Sequence, residues 1–233
     1  MYSLPQKLAA EFIGTFAFVF VASGSLCADQ YLRAASAAPL GWLGVSLAIG
    51  IAYAVLIAAL AHISGAHLNP AVTVGYWVTK RLSTLNTLFY WIAQVAGAIC
   101  AAYLLTALIP DAIWRPIGLG TPDLALDFTR THGMALEAAL TFVLVFVAFA
   151  TAVDANGVSG KIAGFATGLT VTAGMLLGGP FTGAAMNPAR AFGPALAAHH
   201  WTNHGVYWIG PLFGGILGAV IYDRLFLCDQ PAL

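Results

Sequence analysis

Two short segments hold residue types at a spacing from which selective transport could be built. SGAHLNPAVTVG at 64–75 and TGAAMNPARAFG at 182–193 each set an Asn-Pro-Ala triplet behind a loop of small residues. Asn is a leading N-cap residue and Pro is favoured at the first helical position. Asn69-Pro70-Ala71 and Asn187-Pro188-Ala189 therefore read as the starts of two short helices. A helix start exposes unpaired N–H groups and about half a positive charge. Two such ends meeting in a low dielectric repel cations, hydronium included. The residues before each start, Gly65, Ala66, His67 and Leu68, and Gly183, Ala184, Ala185 and Met186, would offer carbonyls with no helical partner. The pattern predicts a ladder of acceptors along a narrow pore, with the Asn69 and Asn187 amides donating at its centre. Water there donates along the ladder and accepts from the amides, which breaks a continuous proton wire. Arg190 directly follows the second triplet in an otherwise uncharged stretch.

Such a pore needs a bilayer, and the composition calls for one. Of 233 residues, 60% are hydrophobic and 8% charged, with nine basic residues balancing nine acidic ones, and the mean hydropathy is +0.86. A soluble domain carries roughly 25% charged residues. Charge this sparse cannot clothe a water-facing surface, which excludes a soluble enzyme, a disordered chain and a nucleic-acid binder. Cys27, Cys100 and Cys228 lie far apart and form no CxxC, so neither a disulfide framework nor a cysteine zinc site is expected.

Uncharged intervals run 12–28, 34–79, 82–110, 138–153, 162–189 and 191–222. A crossing helix takes about 20 mainly apolar residues, and period-two alternation is absent, so helices are expected over a barrel. The chain reads as six crossings near 8–28, 41–62, 84–109, 133–153, 160–178 and 205–227. The Pro- and Gly-interrupted leftovers are the two triplet segments, and matched interruptions of this kind point to a pore or binding site. Glu11 breaks the first apolar run and no A-x-A site follows, so that run is read as a helix and not a cleaved signal.

The chain also repeats itself. EFIGTFAFVF at 11–20 matches EAALTFVLVF at 137–146, ISGAHLNPAV at 63–72 matches FTGAAMNPAR at 181–190, and WIAQVAGA at 91–98 matches WIGPLFGG at 208–215. Three crossings per repeat is odd, so the second half inserts upside down. The expected fold is all-α and integral to the membrane: six transmembrane helices plus two re-entrant half-helices, in inverted repeats of about 1–112 and 130–233.

HISGAHLNPAVT and GAAMNPARAFGP resemble the signature segments of the aquaporin (major intrinsic protein) family, from the EFIGTF opening to the GVYWIGPLFGG of helix six. The resemblance implies a homotetramer of hourglass-shaped protomers, each with its own passive pore and no cofactor. It also implies a selectivity constriction at Ile49, Met175, Ala184 and Arg190. A membrane-embedded arginine is a functional residue by default. Strict water channels resemble Phe, His, a small polar residue and Arg at these positions. Ile49, Met175 and Ala184 make the wall more apolar, and Met adapts its shape readily. Ala191 follows Arg190 where glycerol facilitators resemble NPARD, which favours water over glycerol. The aliphatic constriction is similar to that of archaeal and ammonia-permeable branches. Water is the expected cargo, with ammonia, hydrogen peroxide or similar small neutral solutes as co-substrates and a glycerol facilitator as the alternative.

Glu11 and Glu137 lie one per repeat in helices one and four. The bland reading is that each accepts hydrogen bonds from a re-entrant loop and holds its shape. The other reading, a proton relay, would make the protein a coupled transporter. His62 and His67 have no carboxylate or cysteine beside them for a metal site, and His132, His199, His200 and His204 are expected in solvent-facing segments. Cys27 and Cys100 read as packing residues. No nucleophile–base constellation can be assembled, so no enzyme is expected. Lys7, Lys80, Arg81, Lys161 and Arg224 against Arg33, Arg115 and Arg130 place both termini in the cytoplasm. Short termini and the lack of a targeting segment point to a prokaryotic inner membrane.

Overall fold

The computed structural model describes residues 2–157 and 160–227, with only the backbone of Lys161. Cys228 and the Lys161 side chain lie outside the described residues. Nine α-helices follow in order among those residues: α1 Leu4–Ala34, α2 Gly41–Ser64, α3 Pro70–Val78, α4 Thr84–Leu108, α5 Asp111–Trp114, α6 Arg130–Ala148, α7 Ala163–Thr182, α8 Pro188–Ala198 and α9 Val206–Tyr222. One π-helical turn extends α6 to Val153 and another extends α9 to Leu227. Five of these helices are long and apolar enough to cross a membrane: α1, α2, α4, α6 and α9, the last two with their π turns. α7 is the sixth crossing, with 20 residues and no charge. Its glycines and threonines lower its hydropathy without adding a group that lipid rejects.

The sequence expectation places the crossings correctly and misses some ends. α1 begins earlier than residue 8 because Ser3 and Gln6 form a capping box around Pro5. It runs past 28 because Asp29 and Arg33 pair at 2.7 Å one turn apart. The short α5 and the 3₁₀ turn Arg115–Gly120 behind it are not expected from hydropathy at all.

Packing pairs recur across the two halves. α1 lies against α4 as α6 lies against α9, α1 meets α2 as α6 meets α7, and α3 meets α9 as α8 meets α4. α2 and α7 run along each other and join the halves. Small residues allow these approaches where lipid supplies no hydrophobic drive. At the α2–α7 crossing, a Cβ on Gly50 would stand 2.5 Å from the Gly168 carbonyl oxygen, and one on Gly168 would stand 2.5 Å from that of Gly50.

Candidate functional site

Both Asn-Pro segments start helices, as their local chemistry predicts. Asn69 is the extended N-cap of α3 and its side-chain oxygen accepts from Ala71 N–H at 2.8 Å. Asn187 does the same for α8, accepting from Ala189 N–H at 3.0 Å and Arg190 N–H at 3.3 Å. The two caps are also tied to each other. Asn69 Nδ2 donates to the Met186 carbonyl at 2.8 Å, and Asn187 Nδ2 donates to the Leu68 carbonyl at 2.8 Å. Each amide retains a second N–H, and both residues line one shared cavity.

The loops leading into these caps are folded alike. Gly65 (φ 90°) and Gly183 (φ 76°) end α2 and α7 in the left-handed region. Ala66, Leu68, Ala184 and Met186 also have φ between 42° and 50°, a conformation that costs an L-residue about 1–3 kcal/mol. Buried carboxylates hold that strain. Glu11 accepts from Ser64 Oγ at 2.7 Å, His67 N–H at 2.9 Å, Leu68 N–H at 2.7 Å and Gln94 Nε2 at 2.8 Å. Glu137 accepts from Thr182 Oγ1 at 2.7 Å, Ala185 N–H at 2.9 Å and Met186 N–H at 2.8 Å. Ser64 and Thr182 each also accept a loop N–H, and their carbonyls accept from Tyr90 and Tyr207 hydroxyls, both at 2.9 Å. The sequence expectation gives none of these four residues a part in holding the loops. The repeat offset would have found them, since Ser64 aligns with Thr182 and Tyr90 with Tyr207.

The carbonyl run is less uniform than expected. The Leu68 and Met186 carbonyls already accept the crossed Asn amides, and the His67 carbonyl accepts from Tyr53 Oη at 3.1 Å. Among the described residues, no protein donor reaches the carbonyls of Gly65, Ala66, Gly183, Ala184 and Ala185. The difference arises because the crossed amides need acceptors, and the nearest ones are the last carbonyls before each cap.

Three cavities share lining residues in turn. The outer one, about 310 Å³, is lined by Asp29, Arg33, Asp123, Met175, Gly183 and Arg190 among others. The middle one is only about 10 Å³ and brings together Ile49, Met175, Ala184 and Arg190 with both Asn residues. One water needs roughly 10–15 Å³, so this space admits molecules singly. The inner one, about 30 Å³, is lined by Gly65, Ala66, His67, Tyr53 and Tyr76 among others. Arg190 is 2% exposed, and its Nη1 has no hydrogen-bond partner in the protein. Such a buried donor costs about 1–3 kcal/mol unless something passing it accepts.

The histidines divide. His67 is buried, with Nδ1 3.1 Å from Thr73 Oγ1, and among the described residues no three His, Cys, Asp or Glu side chains gather as metal ligands would. His132 and His199 are exposed. His200 and His204 are partly buried, contrary to expectation. His200 Nε2 lies 2.7 Å from Asp123 Oδ2, and His204 Nε2 accepts from Trp208 Nε1 at 3.0 Å. Cys27 is buried against Leu105 and Trp114, and Cys100 is exposed.

The profile of the family described as Major intrinsic protein matches residues 2–222. The chain is 43% identical over 225 residues to a probable aquaporin TIP3-2 of Arabidopsis thaliana, across 94% of this chain and 82% of the relative. It is 43% identical over 228 residues to aquaporin TIP1-2 of Zea mays, across 97% and 88%. Among solved structures, the aquaglyceroporin from Plasmodium falciparum shares the fold, with a TM-score of 0.84, 22% identity and coverage of 97% and 98%. The fold and the paired caps define an integral membrane channel of the six-helix, two-half-helix type. The chain belongs to the major intrinsic protein family. The comparisons overturn one expectation. The similar aquaporins are plant proteins of the TIP type, which argues against a prokaryotic inner membrane. Loop charges report how a chain sits in a bilayer, not whose bilayer it is.

Proposed function

We propose that the chain is a passive channel that passes water down its osmotic gradient while excluding protons and ions. The observation that carries this reading is the crossed amide pair. Each Asn has one N–H tied across the centre and a second N–H beside a cavity sized for single molecules. Water entering donates to the unpaired carbonyls of Gly65, Ala66, Gly183, Ala184 and Ala185, and its oxygen accepts from Asn69 and Asn187. Its two hydrogens then point away from the centre on either side, so no proton wire crosses. The facing starts of α3 and α8 add positive potential there. Ile49, Met175, Ala184 and Arg190 form the selectivity constriction, whose apolar side admits ammonia, hydrogen peroxide and similar small neutral solutes. Glu11 and Glu137 hold the two loops. Residues 1–112 and 130–233 are inverted repeats about an axis in the membrane plane, and four protomers assemble as a homotetramer in the lipid bilayer.

Stopped-flow light scattering on proteoliposomes tests this, first with an impermeant osmolyte and then with glycerol. Fast shrinkage with a low activation energy and no glycerol re-swelling is expected. Rapid re-swelling would make the protein a solute facilitator, and shrinkage no faster than empty liposomes would sink the open-pore reading.

A further inference from the structure

Neighbouring cavities share lining residues, and two such pairs stand where one cavity gives way to the next. Between the outer and middle cavities these are Met175 and Arg190. Between the middle and inner cavities they are Tyr53 and Leu144. The second neck owes nothing to the constriction set. Tyr53 stands one turn beyond Ile49 on α2 and is 2% exposed. Its ring meets Phe18 edge-on at 5.0 Å between centroids, which fixes its plane. Its hydroxyl donates to the His67 carbonyl at 3.1 Å. That carbonyl belongs to the non-helical run under Asn69, where water would otherwise donate. Moving on by the 118-residue offset between the two Asn residues, the equivalent position in the second half is Val171, an aliphatic residue in the same cavity. Only the first half places a hydroxyl and a six-membered ring at this depth.

We propose that Tyr53 is a second specificity-determining residue, forming with Leu144 an inner neck that sets the upper size of what passes. This rests on the channel reading above. The ring limits the aperture. The hydroxyl withdraws the His67 carbonyl from the acceptor run, and its oxygen lies in hydrogen-bonding reach of the Asn69 side chain. A solute that clears Ile49, Met175 and Arg190 still has to clear Tyr53.

Two variants separate the ring from the hydroxyl. Tyr53→Leu removes the far part of the ring, and Tyr53→Phe keeps the ring while releasing the His67 carbonyl. Water and glycerol permeabilities are measured in proteoliposomes on wild type and both variants, each normalised to channel protein. For Tyr53→Leu the glycerol-to-water ratio rises at least about fivefold, since widening a neck that limits passage acts most on the largest solute. For Tyr53→Phe the ratio stays at the wild-type value while water permeability itself rises. A purely structural role for Tyr53 would change the amount of folded protein and leave the ratio alone. A conducting wild type with no ratio change in Tyr53→Leu overturns the proposal, and so does an equal rise of the ratio in both variants. A wild type no faster than empty liposomes defeats the channel reading itself and takes the inner neck with it.

Discussion

Replacing Glu11 by Gln tests how the first re-entrant loop is held, and the outcome depends on a single neighbouring amide. Four groups point hydrogens at the carboxylate: Ser64 Oγ and His67 N–H at Oε1, Leu68 N–H and Gln94 Nε2 at Oε2. Glu11→Gln keeps the shape and the first two bonds but turns an NH₂ group toward the other two donors. Gln94 can answer. Its Oε1 is buried with no partner, and rotating its amide by half a turn presents that oxygen to the new NH₂. The Thr73 hydroxyl, 2.9 Å from Gln94 Nε2, can turn to suit. What remains orphaned is the Leu68 N–H, at a cost of about 1–3 kcal/mol. In a Gln94→Met background the rescue is gone, and Glu11→Gln should cost about 1 kcal/mol more than in the wild type. Unfolding of the detergent-solubilised protein by increasing SDS mole fraction, followed by tryptophan fluorescence, gives both values. A cost below about 0.5 kcal/mol, or the same cost in both backgrounds, would show that the hydrogen-bond accounting around Glu11 is wrong.

Arg190→Ala removes the charged side chain lining the middle cavity. Unit charges about 4 Å apart repel by roughly 4 kcal/mol at an effective dielectric near 20, so cation or proton leak read by an internal pH dye should rise tenfold or more. An unchanged leak would assign ion exclusion to the helix ends alone. Gly193→Val drives a Cβ into the Ala98 carbonyl oxygen where α8 meets α4. A loss of about 2 kcal/mol or more is expected for such overpacking, and an unshifted unfolding midpoint would contradict the close approach. His204, in the loop before α9, has its pKa held below the usual histidine value by burial. The unfolded chain therefore takes up a proton at a pH where the folded one does not. The stability from neutral His204 is complete above the unfolded value of about 6.5 and lost as pH falls through the folded one. His204→Gln should flatten that acid-side slope in unfolding midpoints measured from pH 7.5 to 5, and an unaltered slope would assign it to other groups.

Legibility from sequence followed the range of the interaction. Asn69-Pro70 and Asn187-Pro188 were readable as helix starts because cap chemistry involves residues two or three apart. Glu11 and Glu137 were readable as loop supports because a charge inside an apolar run needs partners, and its appearance once per repeat limits where they lie. The crossing between Asn69 and the Met186 carbonyl was not readable, because no local pattern joins residues 117 apart. The same holds for Asp123, which gathers His200 and Asn203 from the far loop. The four positions proposed as a constriction are legible only through resemblance. Their spacing alone, on α2, α7 and the segment into α8, gives no reason for Ile49 to meet Met175 and Arg190. Tyr53 fell between these cases. Its position one turn from Ile49 put it on the same helix face, and an aromatic there reads as packing until the carbonyl it touches is known. Hydrophobic period can find the wall of such a pore, but the polar groups that narrow it are recognised by what they bond. In this chain those partners are carbonyls, which every residue carries and no sequence pattern distinguishes.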